Sequence, residues 1–161
     1  MNALIVAIQL GSCFFMTGLI WMVQLVHYPS FDYIDNKQFK VFHDFHSSKI
    51  TWIVLPVMGA ELVSAILICR SLDPYAMLNL LSVIMIWIAT LTVSVPLHNK
   101  LKIGYDPKWI KRLVTTNWIR TVLWSLRLVG LTAWLVARLS AQSARSVVFL
   151  ASNNSCKTCF L

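Results

Sequence analysis

Four long apolar blocks constrain the fold of this chain more than any other feature of its sequence. They cover about residues 4–26, 50–69, 77–97 and 117–139. The hydrocarbon core of a bilayer is about 30 Å thick, and a helix that rises about 1.5 Å per residue needs roughly 20 apolar residues to cross it. Because the backbone must satisfy its own hydrogen bonds in lipid, each block is predicted to be a helix. The predicted fold is an all-α, integral membrane four-helix bundle.

The composition agrees with a membrane protein. Charged residues make up 12% of the chain, whereas a soluble domain carries about 25%. The net charge of +8 would suggest nucleic-acid binding in a soluble protein, but the sequence contains no RNA- or DNA-binding motif. Its basic residues lie mainly between and beside the apolar blocks, where they can contact lipid phosphates. The predicted partner is therefore the lipid bilayer, and no nucleic-acid partner is predicted. Assembly into a homo-oligomer or a larger membrane complex stays open.

The connection between the first two blocks is the most polar part of the chain. Pro29 is expected to end the first helix, and Asp35 or Asn36 can cap a new one. Three phenylalanines recur there at spacings of three, which predicts an amphipathic helix at the membrane interface between spans one and two: Phe39, Phe42 and Phe45. This helix leads into the second block, where Pro56 is expected to produce a kink.

The distribution of basic residues predicts the orientation. The two long connections carry eight Lys and Arg side chains, and the opposite side carries four. The positive-inside rule then places both long connections in the cytoplasm, most simply at a bacterial inner membrane. These basic residues are Lys37, Lys40, Lys49, Lys100, Lys102, Lys108, Lys111 and Arg112, against Arg70, Arg138, Arg145 and Lys157.

Residues 1–139 are predicted to form the membrane domain, and residues 140–161 a polar, Ser-rich and weakly structured tail. Cys156 and Cys159 form a CxxC pair in that tail, but the thioredoxin-like context of redox-active pairs is missing, so a redox or metal role is disfavoured. Cys13 and Cys69 lie in apolar blocks and are predicted to be inert packing residues.

All four histidines fall on one side of the predicted membrane. His27 ends the first helix, His43 and His46 lie in the interfacial helix, and His98 ends the third span. They are candidate ligands for a transition metal or a haem, and the His43-x-x-His46 spacing places two imidazoles on one helix face. For His27 and His98, ligand and interfacial roles stay equally open.

Each predicted span also carries one polar stripe, which in lipid must face the bundle interior. Glu61 and Arg127 fall at similar depths, so an ion pair is predicted between Glu61 and Arg127 or its neighbour Arg120. This pair is interpreted first as structural. The predicted pocket residues are Gln24, Glu61, Asn117, Arg120 and Arg127.

Several motifs carry a resemblance to a known family. They are His27-Tyr-Pro29, Phe42-His-Asp-Phe-His46, Val95-Pro-Leu-His98-Asn-Lys-Leu101 and Thr116-Asn-Trp-Ile-Arg120-Thr121. Over about residues 1–138 the chain resembles small bacterial four-span proteins that are distantly similar to the anthrone-oxygenase-like membrane family. The resemblance implies the four-span fold and an oxygenase activity, and no site residue is carried over from it.

Two functions remain in competition. The first is a histidine-lined polar site at one membrane face, with a metal- or haem-dependent redox or oxygenase-type activity on a hydrophobic substrate. The second is a non-catalytic membrane subunit or assembly factor of a larger complex. A transporter is disfavoured, because the sequence lacks inverted repeats and broken helices.

Overall fold

The computed structural model describes residues 2–70 and 72–158, with side chains described up to residue 146. These residues contain helices and no β-strand. Two π-helical turns, Val23–His27 and Thr90–Ser94, interrupt the first and third spans, and a 3₁₀ turn covers Pro29–Tyr33. The α-helices are α1 (Ala3–Met22), α2 (Phe39–Cys69), α3 (Pro74–Ala89), α4 (Val95–Leu101) and α5 (Pro107–Thr158).

Four helical segments are long and apolar enough to cross a membrane, which confirms the predicted four-helix bundle. They are Ala3–Tyr33, Phe39–Cys69, Pro74–Leu101 and Pro107–Ser146. Helix α1 packs against α2 and α5, and α3 packs against the same two helices, so the four spans form a closed ring. Large apolar side chains point outward from every span, as lipid contact requires: Phe14, Trp52, Ile84 and Leu126 are examples.

Three apolar clusters fill the bundle from end to end. Phe31, Phe39 and Leu101 belong to the cluster at the histidine end. Met58 and Trp124 belong to the central cluster. A third cluster closes the opposite end around Val6, Ile68 and Trp134. The polar site lies between the first two clusters, so apolar packing bounds it on both sides.

The predicted interfacial helix is the beginning of α2 and is continuous with the second span. Helix α2 begins at Phe39 and continues as α-helix through Pro56. The prediction that Asp35 or Asn36 caps it is wrong, because the cap position is Gln38. Asp35 instead stabilises the preceding turn, where its carboxylate accepts a hydrogen bond from the Lys37 amide.

The C-terminal region differs more clearly from expectation. Helix α5 continues to Thr158, so residues 140–158 are helical where weak structure was predicted. The physical reason is that no Gly or Pro follows Gly130 before residue 158, so the sequence offers no helix-stop signal there. The Cys159 residue and the Cys156 side chain lie outside the described residues, and so does the CxxC prediction.

The turn between the second and third spans is held by Asp73. One oxygen of its carboxylate accepts a hydrogen bond from the Tyr75 amide at 2.9 Å and caps α3. The other oxygen pairs with Arg138 of α5. Desolvation acts to raise the pKa of the Asp73 carboxyl, but hydrogen bonds from Arg138 and Tyr75 and the charge of Arg138 outweigh it, so the pKa lies below its usual value.

Candidate functional site

The predicted intramembrane ion pair is present deep in the bundle. Arg127 Nη1 donates to Glu61 Oε1 at 2.7 Å, and both side chains are almost completely buried. Trp124 Nε1 donates to the second carboxylate oxygen at 3.1 Å, and Arg127 Nε donates to Asn79 Oδ1 at 2.9 Å. Glu61 is therefore bound on both oxygens by groups from α5. Of the two predicted partners, Arg127 is the one that binds it.

Three side-chain amide contacts extend this polar interior along the first span. Asn117 Nδ2 donates to Gln24 Oε1 at 2.9 Å, and Gln24 Nε2 donates to the Val114 carbonyl at 3.1 Å. Further along the helix, Ser64 Oγ donates to Gln9 Oε1 at 2.9 Å. These contacts join α1 to α5 and α2, which supports a structural role for the amides.

The histidines gather as predicted, in two pairs. The first pair is buried between α2 and α4: His43 Nε2 and His98 Nδ1 are 3.1 Å apart. The other imidazole nitrogen of His98 is 3.0 Å from the Tyr28 hydroxyl. Tyr28, His98 and His43 thus form one hydrogen-bonded row. Because a hydroxyl and a neutral imidazole each donate and accept, this row can be polarised in either direction.

The second pair, His27 and His46, lies beside the first. Their ring centroids are 3.7 Å apart with an interplanar angle of 32°. The Nε2 atoms of both are buried and, among the described residues, have no hydrogen-bond partner. The Nδ1 atom of His43 is in the same condition. Buried imidazole nitrogens without partners are costly, so this cluster has capacity for a further ligand or for water.

Two π-helical turns position the histidines. The first turn ends at His27, and the second precedes His98 by a few residues. A proline follows each turn closely, at Pro29 and Pro96. Proline lacks an amide proton and its ring meets the carbonyl four residues earlier, and both of those carbonyls lie inside the π turns. We attribute the wider turns to these prolines, and π turns of this kind occur frequently at functional sites.

A cavity of about 180 Å³ opens beside the histidine row. Its lining includes these polar side chains: Tyr28, His46, Thr51, Thr90, Ser94, His98 and Arg120. The rest of its wall is mainly apolar and includes Met16, Ile20, Val54, Met58 and Trp87. Its rim contains side chains that are exposed on the outer, lipid-facing surface of the bundle: Leu55, Leu91 and Val95. The cavity therefore communicates sideways with the hydrocarbon region of the bilayer.

Arg120 closes the polar end of this cavity. Its Nη1 donates to Ser94 Oγ at 2.7 Å, and its guanidinium lies 5.5 Å from the centre of the Trp124 ring. The phenol of Tyr28 is a further neighbour. The Nε atom of Arg120 is buried and finds no partner within the described part of the chain. The cavity thus ends in a buried cation with a free donor.

The structure separates the predicted site residues into groups. His46, His98 and Arg120 line the cavity, and His43 and His27 lie behind them. The remaining predicted pocket residues form contacts elsewhere and do not line it: Glu61 with Arg127, and Gln24 with Asn117. Sequence reasoning missed Tyr28 as a site residue. Its position beside His27 in the His-Tyr-Pro motif was the signal that could have revealed it.

The described donor atoms do not form a metal centre with three or more ligands. Within residues 2–70 and 72–146, no group of three or more His, Cys, Asp and Glu side chains is arranged to hold a metal ion. His43 Nε2 and His98 Nδ1, at 3.1 Å, are two imidazole nitrogens close enough to share one ion. A metal with more protein ligands would require side-chain movements.

No family model, curated protein or solved structure matches this chain.

Proposed function

We propose that this chain is a small membrane enzyme that takes a lipophilic substrate from the bilayer and moves protons to or from it. The hydrogen-bonded row of Tyr28, His98 and His43, which begins at the wall of a cavity open to lipid, carries this proposal. The apolar cluster that contains Phe31 and Phe39 packs around Tyr28, the first member of the row. The excess of basic residues in the two long connections favours a cytoplasmic location for them, and with them for the row.

The reaction class follows from what such a row can do. Histidine is the side chain most often used to shuttle protons in proteins. Oxygenase and redox reactions of organic substrates move protons together with electrons, so a redox or oxygenase-type reaction on a hydrophobic substrate is the class we propose. It is also the activity that the resemblance in the His-Tyr-Pro and Asn-Trp-Ile-Arg segments implies.

A metal ion held by His43 and His98 is a second candidate, favoured by their 3.1 Å contact. Two imidazole nitrogens bound to one ion at about 2.0–2.1 Å lie about 3.0–3.4 Å apart. The Tyr28 hydroxyl on the far nitrogen of His98 resembles the outer hydrogen bond that metal-bound histidines form. Haem is disfavoured, because the cavity of about 180 Å³ lies below the roughly 300–1,000 Å³ of pockets that take drug-sized ligands, and haem is a large macrocycle.

The row can be tested without knowing the substrate. In protein with ¹⁵N-labelled histidine in lipid nanodiscs, Tyr28→Phe is expected to shift the nitrogen resonances of His98 and His43. Tyr33→Phe is the matched control, because it removes a phenol from the same segment that is 90% exposed. Unchanged His98 resonances in Tyr28→Phe would contradict the row.

The activity is tested with a lipophilic hydroquinone as probe and oxygen uptake as the measurement. Loss of a general acid–base group reduces turnover by about 10²- to 10⁴-fold, so Tyr28→Phe and His98→Gln are expected to lose most activity while Tyr33→Phe keeps it. Stoichiometric metal that disappears in His43→Ala and His98→Ala would favour the second candidate. Co-purification with a large complex, without turnover or metal, would favour a non-catalytic subunit.

A further inference from the structure

Arg120 carries a buried charge that no acidic side chain of the described chain neutralises. All six Asp and Glu residues lie in the described part. The ion pairs found there join Arg127 to Glu61 and Arg138 to Asp73. Arg120 is only 8% exposed, and its hydrogen-bonding neighbours are two neutral hydroxyls, those of Ser94 and Tyr28. Its positive charge is therefore held in the protein interior without a counter-ion.

Arg127, on the same helix, is a buried guanidinium with a structural role and serves as a comparison for Arg120. It lies seven residues further along α5, and its Nη1 meets the Glu61 carboxylate while its Nε meets Asn79. A charge within the membrane is expensive and is normally paired or faces a ligand pathway. Arg127 is paired, whereas Arg120 lines the cavity. This difference indicates that the counter-ion of Arg120 comes from outside the chain.

The shape of the cavity limits the kind of molecule that can carry this anionic group. Its walls are apolar along Met16, Ile20 and Met58, and its mouth opens between side chains that face lipid. Its polar groups are concentrated around Arg120, Ser94 and His98. A molecule that fills it must therefore present one polar head inward and an apolar body outward. A volume of about 180 Å³ suits a single chain or ring system.

We propose that the cavity binds a lipophilic anion, a carboxylate or phenolate on a single apolar body, with its head on the Arg120 guanidinium. Arginine binds such oxygens through directed, charge-assisted hydrogen bonds. Arg120 lines the cavity, and its Nε has no partner among the described residues. The head then lies next to Tyr28, the first member of the histidine row. The proposal deepens the proposed function by naming its substrate class, and it rests on that function only for the use of the same cavity.

The test uses radiolabelled decanoate as the probe and decanol as its neutral counterpart. Full-length protein in phosphatidylcholine nanodiscs is expected to bind decanoate saturably, one per chain, above the partitioning into empty discs. Unlabelled decanoate displaces it, and decanol does not. Equal displacement by decanol would overturn the proposal with the wild-type protein alone. Displacement by phosphatidylglycerol added to the discs would overturn the assignment to a single-chain anion.

Variants locate the site. Arg120→Gln is expected to weaken decanoate binding about tenfold or more, because it removes a charged hydrogen-bond donor, and Arg120→Lys to restore part of it. The control is Glu61→Gln combined with Arg127→Gln, which removes the neighbouring guanidinium together with its partner and should bind decanoate normally. Wild-type affinity in Arg120→Gln would overturn the proposal.

The same measurements test the anion site and the histidine row independently. Tyr28→Phe and His98→Gln are expected to lose turnover while decanoate still binds. Arg120→Gln is expected to lose decanoate binding while the histidine resonances keep their pattern. If the wild-type protein turns over the hydroquinone but does not bind decanoate, the anion site alone is overturned. If it binds decanoate but Tyr28→Phe leaves the histidine nitrogen resonances unchanged, the proposed function alone is overturned.

Discussion

The Glu61 carboxylate depends on its partners for its stability in the bundle. Breaking a buried ion pair by removing one member costs about 3–5 kcal/mol, because the other charge is left uncompensated. Glu61→Gln keeps the shape and an acceptor for Trp124 but leaves Arg127 unpaired, so a clear fall in the melting temperature in detergent is expected. Thermal unfolding followed by circular dichroism measures it.

The double variant Glu61→Gln with Arg127→Gln supplies the control for this ion pair. Two neutral amides can hydrogen bond to each other and to Asn79, so the double variant is expected to melt above the Glu61→Gln single variant. An unchanged melting temperature in the single variant would contradict an energetic role for the pair.

At the same scale, the sequence predicted the ion pair but not the isolation of Arg120. Glu61 lies five helical turns after His43, and the depth of Arg127 follows from counting residues along its span. Helix geometry therefore places both Glu61 and Arg127. The hydroxyl that meets Arg120 comes from Ser94, inside a π turn. The changed helical phase there is not visible in residue counting.

At the scale of the helices, the start of α3 depends on Asp73. Removing a helix cap costs about 1 kcal/mol, and a partly exposed ion pair contributes about 0–1 kcal/mol. Asp73→Asn keeps a capping oxygen and loses only the charge, so it is expected to lower the melting temperature slightly. Asp73→Ala loses both contacts and should lower it further. Equal melting temperatures for the two variants would contradict the cap.

The same carboxylate predicts a pH dependence. Because the folded-state pKa of Asp73 is lowered, its contribution to stability is full above the unfolded-state pKa of about 3.9. That contribution falls as the pH drops through the lower, folded-state pKa. The melting temperatures of wild type and Asp73→Asn are therefore expected to converge below about pH 4, which a series of thermal melts in acidic buffers measures.

At this scale the sequence predicts the membrane spans but not the π turns within them. The four spans follow from apolar block length, since lipid thickness fixes the number of residues needed. The π turns do not, because Val23–His27 and Thr90–Ser94 contain neither Gly nor Pro and their cause lies just beyond them, at Pro29 and Pro96. Pro56 produces no such turn in α2, so a proline alone does not predict one.

At the scale of the whole molecule, the clustering of the histidines could be predicted, and the cavity could not. Consecutive spans cross the membrane in opposite directions. Residues at the end of one span and at the beginning of the next therefore lie at the same face. Whether their side chains enclose a space depends on packing among all four spans. The row through Tyr28, and the mouth between Leu55 and Leu91, are consequences of that packing.

The orientation of the whole molecule gives a final prediction. The ends of α1 and α4, with the histidine site, share one face, and the short turn at Asp73 lies on the other. On a background in which the native cysteines are replaced by alanine, Lys102→Cys and Gln142→Cys mark the two faces, because both positions are exposed. Since basic residues favour the cytoplasmic side, a membrane-impermeant maleimide is expected to label Gln142→Cys in bacterial spheroplasts and Lys102→Cys only after permeabilisation. The reverse pattern would place the histidine site on the outer face, and its protons would then exchange with the opposite compartment.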